Sequence, residues 1–178
     1  MTLHVSEAAL VYLVGLLATA VYFDFRYRRI PNALTFGGAL AGLLLVVRAD
    51  PDWQTLALSA GGGVFGLLLF LPSYAIGKMG AGDVKLLGMV GVFVGPGGVL
   101  WAAAWSVIAG GALALLWLLG TWGVRGFALR TLGTLTAVRL SGSTPRDSGA
   151  RGSAMKSKMP YAAAIAVGAV ASTRVQIV

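Results

Sequence analysis

Two aspartates sit in sequence contexts suited to chemistry. Asp24 opens the stretch Asp24-Phe25-Arg26-Tyr27-Arg28-Arg29-Ile30-Pro31-Asn32, and Asp83 ends Gly80-Ala81-Gly82-Asp83, ahead of Val84-Lys85. Two carboxylates brought within a few ångströms cannot both ionise easily, so one keeps its proton and the pair titrates as a unit. Such a dyad can hold a water between its members. The ionised carboxylate then removes a proton from that water while the protonated one polarises a carbonyl, which is peptide-bond hydrolysis without a metal, a cofactor or a covalent nucleophile. The chain offers few alternatives. It has no cysteine, so disulfides, thiolate metal sites and cysteine nucleophiles are excluded, and its one histidine, His4, reads as an interfacial polar residue near the N-terminus.

Each aspartate also has a plainer reading. Asp24 beside Arg26 and Arg28 fits a solvated charge at an interface, and Gly80-Ala81-Gly82-Asp83 fits a glycine turn closed by a helix N-cap. Residues 24 and 83 are 59 positions apart, so spacing alone does not bring them together. The glycines would let a substrate backbone or a neighbouring helix come close to Asp83, and a helix starting there would favour an ionised carboxylate.

The elements that must position these residues are apolar helices. Of the 178 residues 57% are hydrophobic and 11% charged, with a mean hydropathy of +0.83. A soluble domain carries about 25% charged residues, so the composition specifies an integral membrane protein. Charge-free runs cover residues 8–23, 30–47, 53–77, 86–124 and 159–173. A helical span takes about 20 apolar residues, so the fourth run is too long for one span. Gly95-Pro96-Gly97-Gly98 divides it. The expectation is an all-α, polytopic membrane protein of six transmembrane helices forming a single domain over 1–178. Continuous apolar runs exclude the alternating pattern of a β-barrel. Residues 8–23 read as a retained helix, since Asp24-Phe25-Arg26 offers no small-residue cleavage site.

The basic residues orient these helices. With the N-terminus outside, Arg26, Arg28, Arg29, Lys78, Lys85 and the seven basic residues of 125–158 all fall inside, leaving Arg48 and Arg174 outside. The positive-inside rule therefore predicts both termini on the outer side. It places Asp24 and Asp83 together at the cytoplasmic ends of helices, and ionisable groups at membrane depth tend to be functional. The net charge of +8 follows from this topology. It sits in short loops beside helices, where anionic lipids are attracted, so nucleic acid is not an expected partner.

Residues 124–158 form the longest polar stretch and read as a cytosolic loop. In 125–140, arginines alternate with Phe127, Leu129, Leu132, Leu135 and Val138, a pattern that fits either an amphipathic interfacial helix or an irregular tether. Residues 141–158, rich in Ser, Gly and basic side chains, read as a flexible loop. The 26 glycines include Gly62-Gly63 and Gly110-Gly111 and suit close packing of membrane helices.

The segments Asp24…Ile30-Pro31-Asn32-Ala33-Leu34-Thr35 and Gly80-Ala81-Gly82-Asp83-Val84-Lys85 together resemble the two signatures of type IV prepilin peptidases, GxGD-type intramembrane aspartic proteases. Met159-Pro160-Tyr161-Ala162-Ala163-Ala164 is similar to the opening of that family's last helix, so the resemblance extends over nearly the whole chain. It implies that Asp24 and Asp83 are the catalytic pair. It also makes Gly80, Gly82, Lys85, Pro31 and Asn32 site-shaping residues, with no metal and no cofactor. The implied substrate is a prepilin-like protein with a basic leader, a cleavage site after glycine and a hydrophobic helix, cut at the cytoplasmic face of the inner membrane. Long members carry a cysteine-paired cytosolic insert and also methylate the new terminus. This chain has neither the cysteines nor room for the insert, and so is similar to the short, peptidase-only branch of tight-adherence pilus systems and archaeal preflagellin peptidases. A basic leader would be repelled by so many basic loop residues, so leader recognition is not simple charge attraction.

Two other classes lead to different expectations. A small cation- or proton-coupled transporter using the same aspartates would place carboxylates nearer mid-helix and often carry an inverted repeat; the sequence has neither pattern. A noncatalytic scaffold of a secretion apparatus would tolerate Asp83→Asn.

Overall fold

The computed structural model describes residues 6–77, 79–141 and 161–175. They form helices α1 (Glu7–Tyr27), α2 (Asn32–Ala49), α3 (Trp53–Ala75), α4 (Ala81–Ser141) and α5 (Tyr161–Val175). α1, α2, α3 and residues Ala81–Leu116 of α4 are long and apolar enough to cross a membrane, and Tyr161–Thr173 is a shorter apolar helix. The chain divides into two compact units, one of Met1–Gly110 with Pro160–Val178 and one of Gly111–Met159. In the second unit the backbone of 125–140 is helical. His4, Lys78 and the predicted flexible segment beyond Ser141 lie outside the described residues.

The first unit carries both aspartates. α1 starts at Ser6, whose hydroxyl accepts from the Ala9 N–H at 3.3 Å, and buries the stripe Ala9, Leu13, Leu17 and Ala20, one face of a 3.6-residue helix. Its other faces are equally apolar yet open, with Val11 74% and Val14 51% exposed. Water would not tolerate so much exposed apolar surface on one face after another; lipid tails would. α1 packs against α2 and α5, and α2 against α3.

The α3–α4 contact depends on the absence of side chains. A methyl on Gly62 would collide with the Gly91 carbonyl and the Gly95 backbone, and one on Gly66 with the backbone of Leu87 and Gly88. The buried Ser59 hydroxyl donates to the Val92 carbonyl at 2.6 Å across the same seam. Small residues let membrane helices approach this closely, and dispersion and hydrogen bonds replace the missing hydrophobic drive.

Six helices are expected from the sequence, and five are found among the described residues. The difference lies in α4, where helical structure continues through Gly95-Pro96-Gly97-Gly98. α4 is nevertheless not straight. Gly66 lies on Leu87 and Gly88, while Phe70, one turn further along α3, lines a groove with Leu100, Trp101 and Val107. In a straight helix Gly88 and Val107 would stand roughly 28 Å apart. The chain therefore doubles back between them, and Gly95 takes the φ of 70° that the reversal needs, immediately before Pro96. Arm 81–94 runs along α3, and arm 96–110 returns.

Candidate active site

Asp24 lies in the last turn of α1, half-buried. Its backbone carbonyl accepts from the Arg28 N–H at 2.9 Å, closing the helix with Arg28 in the left-handed region at φ 51°. Its carboxylate turns the other way and accepts from the Ala162 N–H at 3.1 Å. Ala162 is the second residue of α5, and first-turn amides have no partner inside their own helix. α5 thus offers Asp24 a donor together with the positive end of its dipole, and the Arg28 guanidinium adds a further positive charge nearby.

Asp83 lies in the first turn of α4, also half-buried. Its N–H donates to the Gly80 carbonyl at 3.1 Å. Its carboxylate folds back over the same residue, since a methyl on Gly80 would stand 3.2 Å from Oδ2. Asp83 also lies close enough to Tyr161 for its charge to act on the phenol. One carboxylate therefore contacts Ala162, and the charge of the other acts on the neighbouring Tyr161 phenol.

The remaining candidates tie the two sequence segments together. Gly82 faces Ile30, whose Cβ would lie 3.3 Å from a methyl placed there, so the α1–α2 link sits directly on the start of α4. Lys85 Nζ donates to Asn32 Oδ1 at 2.9 Å and lies 5.2 Å from the centre of the Phe36 ring. Pro31 precedes α2 and lacks an N–H, and its carbonyl accepts from Leu34 and Thr35. Among the described residues, no three His, Cys, Asp or Glu side chains group closely enough to hold a metal ion.

Sequence reasoning missed several contributors. Ile30 and Phe36 carry no polar group, and their roles show only once α2 and α4 are packed. Tyr161 and the Ala162 amide lie in a segment noted only for its similarity to the opening of the family's last helix, with no role given to either group. The available signal was the Pro160-Tyr161 pair in the sequence, since proline favours a helix start and the amides of a first turn have no partner inside their own helix.

The model of the type IV leader peptidase family matches residues 11–115, more than half of the chain. The match takes in both aspartates and the seam between α3 and α4. No curated protein and no solved structure matches the chain.

Proposed function

The chain belongs to the type IV leader peptidase family and is a membrane peptidase, and from this premise we propose that it is an aspartic endopeptidase that uses Asp24 and Asp83 to remove the leader of prepilin-like proteins after glycine. The observation that supports this reading is the hydrogen bond from the Ala162 amide, in the first turn of α5, to the Asp24 carboxylate, with the charge of Asp83 acting on the adjacent Tyr161 phenol.

The reaction follows from a dyad that shares one proton. The ionised carboxylate takes a proton from the bound water as the water oxygen attacks the scissile carbonyl. The protonated carboxylate gives its proton to the carbonyl oxygen, forming a neutral gem-diol. The first carboxylate then passes its proton to the amide nitrogen, the C–N bond breaks, and the second recovers a proton from the gem-diol. The products are a leader ending in a glycine carboxyl and a mature protein with a free amine.

The membrane arrangement that suits this chemistry has six spans, with the two arms of α4 counted separately, and both termini outside. The active site then faces the cytoplasm at the inner membrane. Support comes from the concentration of basic residues in the intervening loops. Those loops also recruit anionic lipids. Methylation of the new terminus is not part of this reading. The transporter alternative is disfavoured because both carboxylates sit in terminal turns rather than at mid-span.

The test is cleavage of a co-expressed, tagged prepilin, followed by its mobility shift. Wild type should cleave it, and Asp24→Asn and Asp83→Asn should not, with all three present equally in the membrane. Cleavage by either asparagine variant at the wild-type rate would rule out the dyad.

A further inference from the structure

Tyr161 immediately precedes the residue whose amide holds the Asp24 carboxylate, and its surroundings are built around its ring. The ring packs edge-on against Phe70 with centroids 6.2 Å apart. On another side it covers Gly110, where a methyl would collide with the ring carbons. Its hydroxyl donates to the Ser106 carbonyl at 3.4 Å, a long bond that adds little. Thus α3 and the returning arm of α4 hold the ring, and the next residue, Ala162, directs its N–H at the Asp24 carboxylate. Further along α5, Gly168 lies against Ala102 and Ser106 so closely that a methyl would not fit. α5 is therefore fixed on the returning arm by one large and one small residue, and its first turn has little freedom to slide.

We propose that Tyr161 is a positioning residue of the peptidase: its ring, wedged against Phe70 and Gly110, sets the first turn of α5 so that the Ala162 amide holds the Asp24 carboxylate in its working orientation. This rests on Asp24 belonging to the catalytic pair. The hydroxyl matters less than the ring, because ring packing fixes the backbone while the bond to Ser106 is long. The carboxylate loses its register when the ring is removed, and a displacement of about 1 Å at a reacting group lowers the rate by about 100-fold.

The test uses the full chain in proteoliposomes and a tagged peptide made of a lysine-rich leader, a glycine and an apolar helix. Tyr161→Phe keeps the ring and should lower kcat less than threefold. Tyr161→Leu should lower kcat about 100-fold while KM stays within a factor of two, because substrate docking does not pass through the ring. Gly110→Ala, which displaces the ring without changing Tyr161, should reproduce the kcat loss. Thermal unfolding of each variant separates position from packing: a kcat loss that merely tracks loss of folded protein overturns the proposal. So does wild-type kcat in Tyr161→Leu alongside inactive Asp24→Asn and Asp83→Asn, an outcome that leaves the dyad standing. If both asparagine variants cleave like wild type, the dyad fails and the positioning role fails with it.

Discussion

Lys85 Nζ donates a hydrogen bond to Asn32 Oδ1 at 2.9 Å, joining the start of α4 to the start of α2 across 53 positions of sequence. The ammonium also lies over the Phe36 ring, so one side chain anchors the segment that carries Asp83 to the link that follows Asp24. Neither aspartate takes part in this contact, yet it holds the two loops in register.

That bond should be measurable as a coupling. Asn32→Ala and Lys85→Met remove its two ends, and the exposed setting limits its net worth to about 0.5–1.5 kcal/mol. A double-mutant cycle on unfolding free energy in mixed micelles should return a coupling in that range. Proteolytic kcat should fall in both single variants, because the Asp83 loop loses its tether. A coupling of zero would mean that the two side chains do not pair in the membrane.

Glycine substitutions should sort by what surrounds them. At Gly62 a methyl meets backbone atoms of Gly91 and Gly95, which cannot rotate away, whereas Gly15 and Gly37 have open space around the corresponding position. Gly62→Ala should force α3 and α4 apart and destabilise by roughly 1–3 kcal/mol or more. Gly15→Ala and Gly37→Ala should be neutral or stabilising by up to about 1 kcal/mol. Thermal unfolding of the three variants checks this, and equal losses in all three would contradict the close backbone approach at the α3–α4 seam.

The helices were legible because a charge-free run of some twenty residues has few alternatives, and α1, α2 and α3 largely coincide with those runs. Pro31 and Asp52 stand immediately before α2 and α3, without a side-chain capping bond at either. The count of elements was less legible at Gly95-Pro96. Turn-forming residues predicted a turn dividing two helices there, and a single left-handed glycine reverses the chain while helical structure continues on both sides of it. Asp24 and Asp83 could be picked out as candidates because their flanking segments resemble the two signatures of the family. Tyr161 and the Ala162 amide could not. An aromatic side chain and a backbone N–H gain a role only through tertiary placement, and residue spacing carries no record of which helix end faces which carboxylate.

Arg28 occupies a left-handed C-cap position at φ 51°, where a side chain costs roughly 1–2 kcal/mol and glycine is the usual occupant. Arg28→Gly and Arg28→Ala both remove the positive charge near Asp24, but only glycine relieves the backbone. Arg28→Gly should therefore be about 1 kcal/mol more stable than Arg28→Ala in denaturant unfolding. Their peptidase rates should match, since both lack the same guanidinium. Equal stabilities would mean that α1 does not end in this cap.

Gly80 and Gly77 lie three positions apart in the sequence but should fail in opposite ways. A methyl on Gly80 would stand 3.2 Å from Asp83 Oδ2, and no left-handed backbone is required there. The carboxylate must then shift by a few tenths of an ångström or change rotamer, while the Gly80 carbonyl can still accept from the Asp83 N–H. Gly80→Ala should leave thermal stability close to wild type and, if Asp83 belongs to the proposed pair, lower kcat by about 10- to 100-fold, because its carboxylate is misplaced. Gly77 has φ 71°, and a methyl there would have nothing within 4 Å of it, so the penalty is purely conformational. Gly77→Ala should lose about 1 kcal/mol of stability and keep kcat. If Gly80→Ala lost stability in proportion to activity, Gly80 would be a turn former only, and the closeness of its Cα to the Asp83 carboxylate would have no part in catalysis.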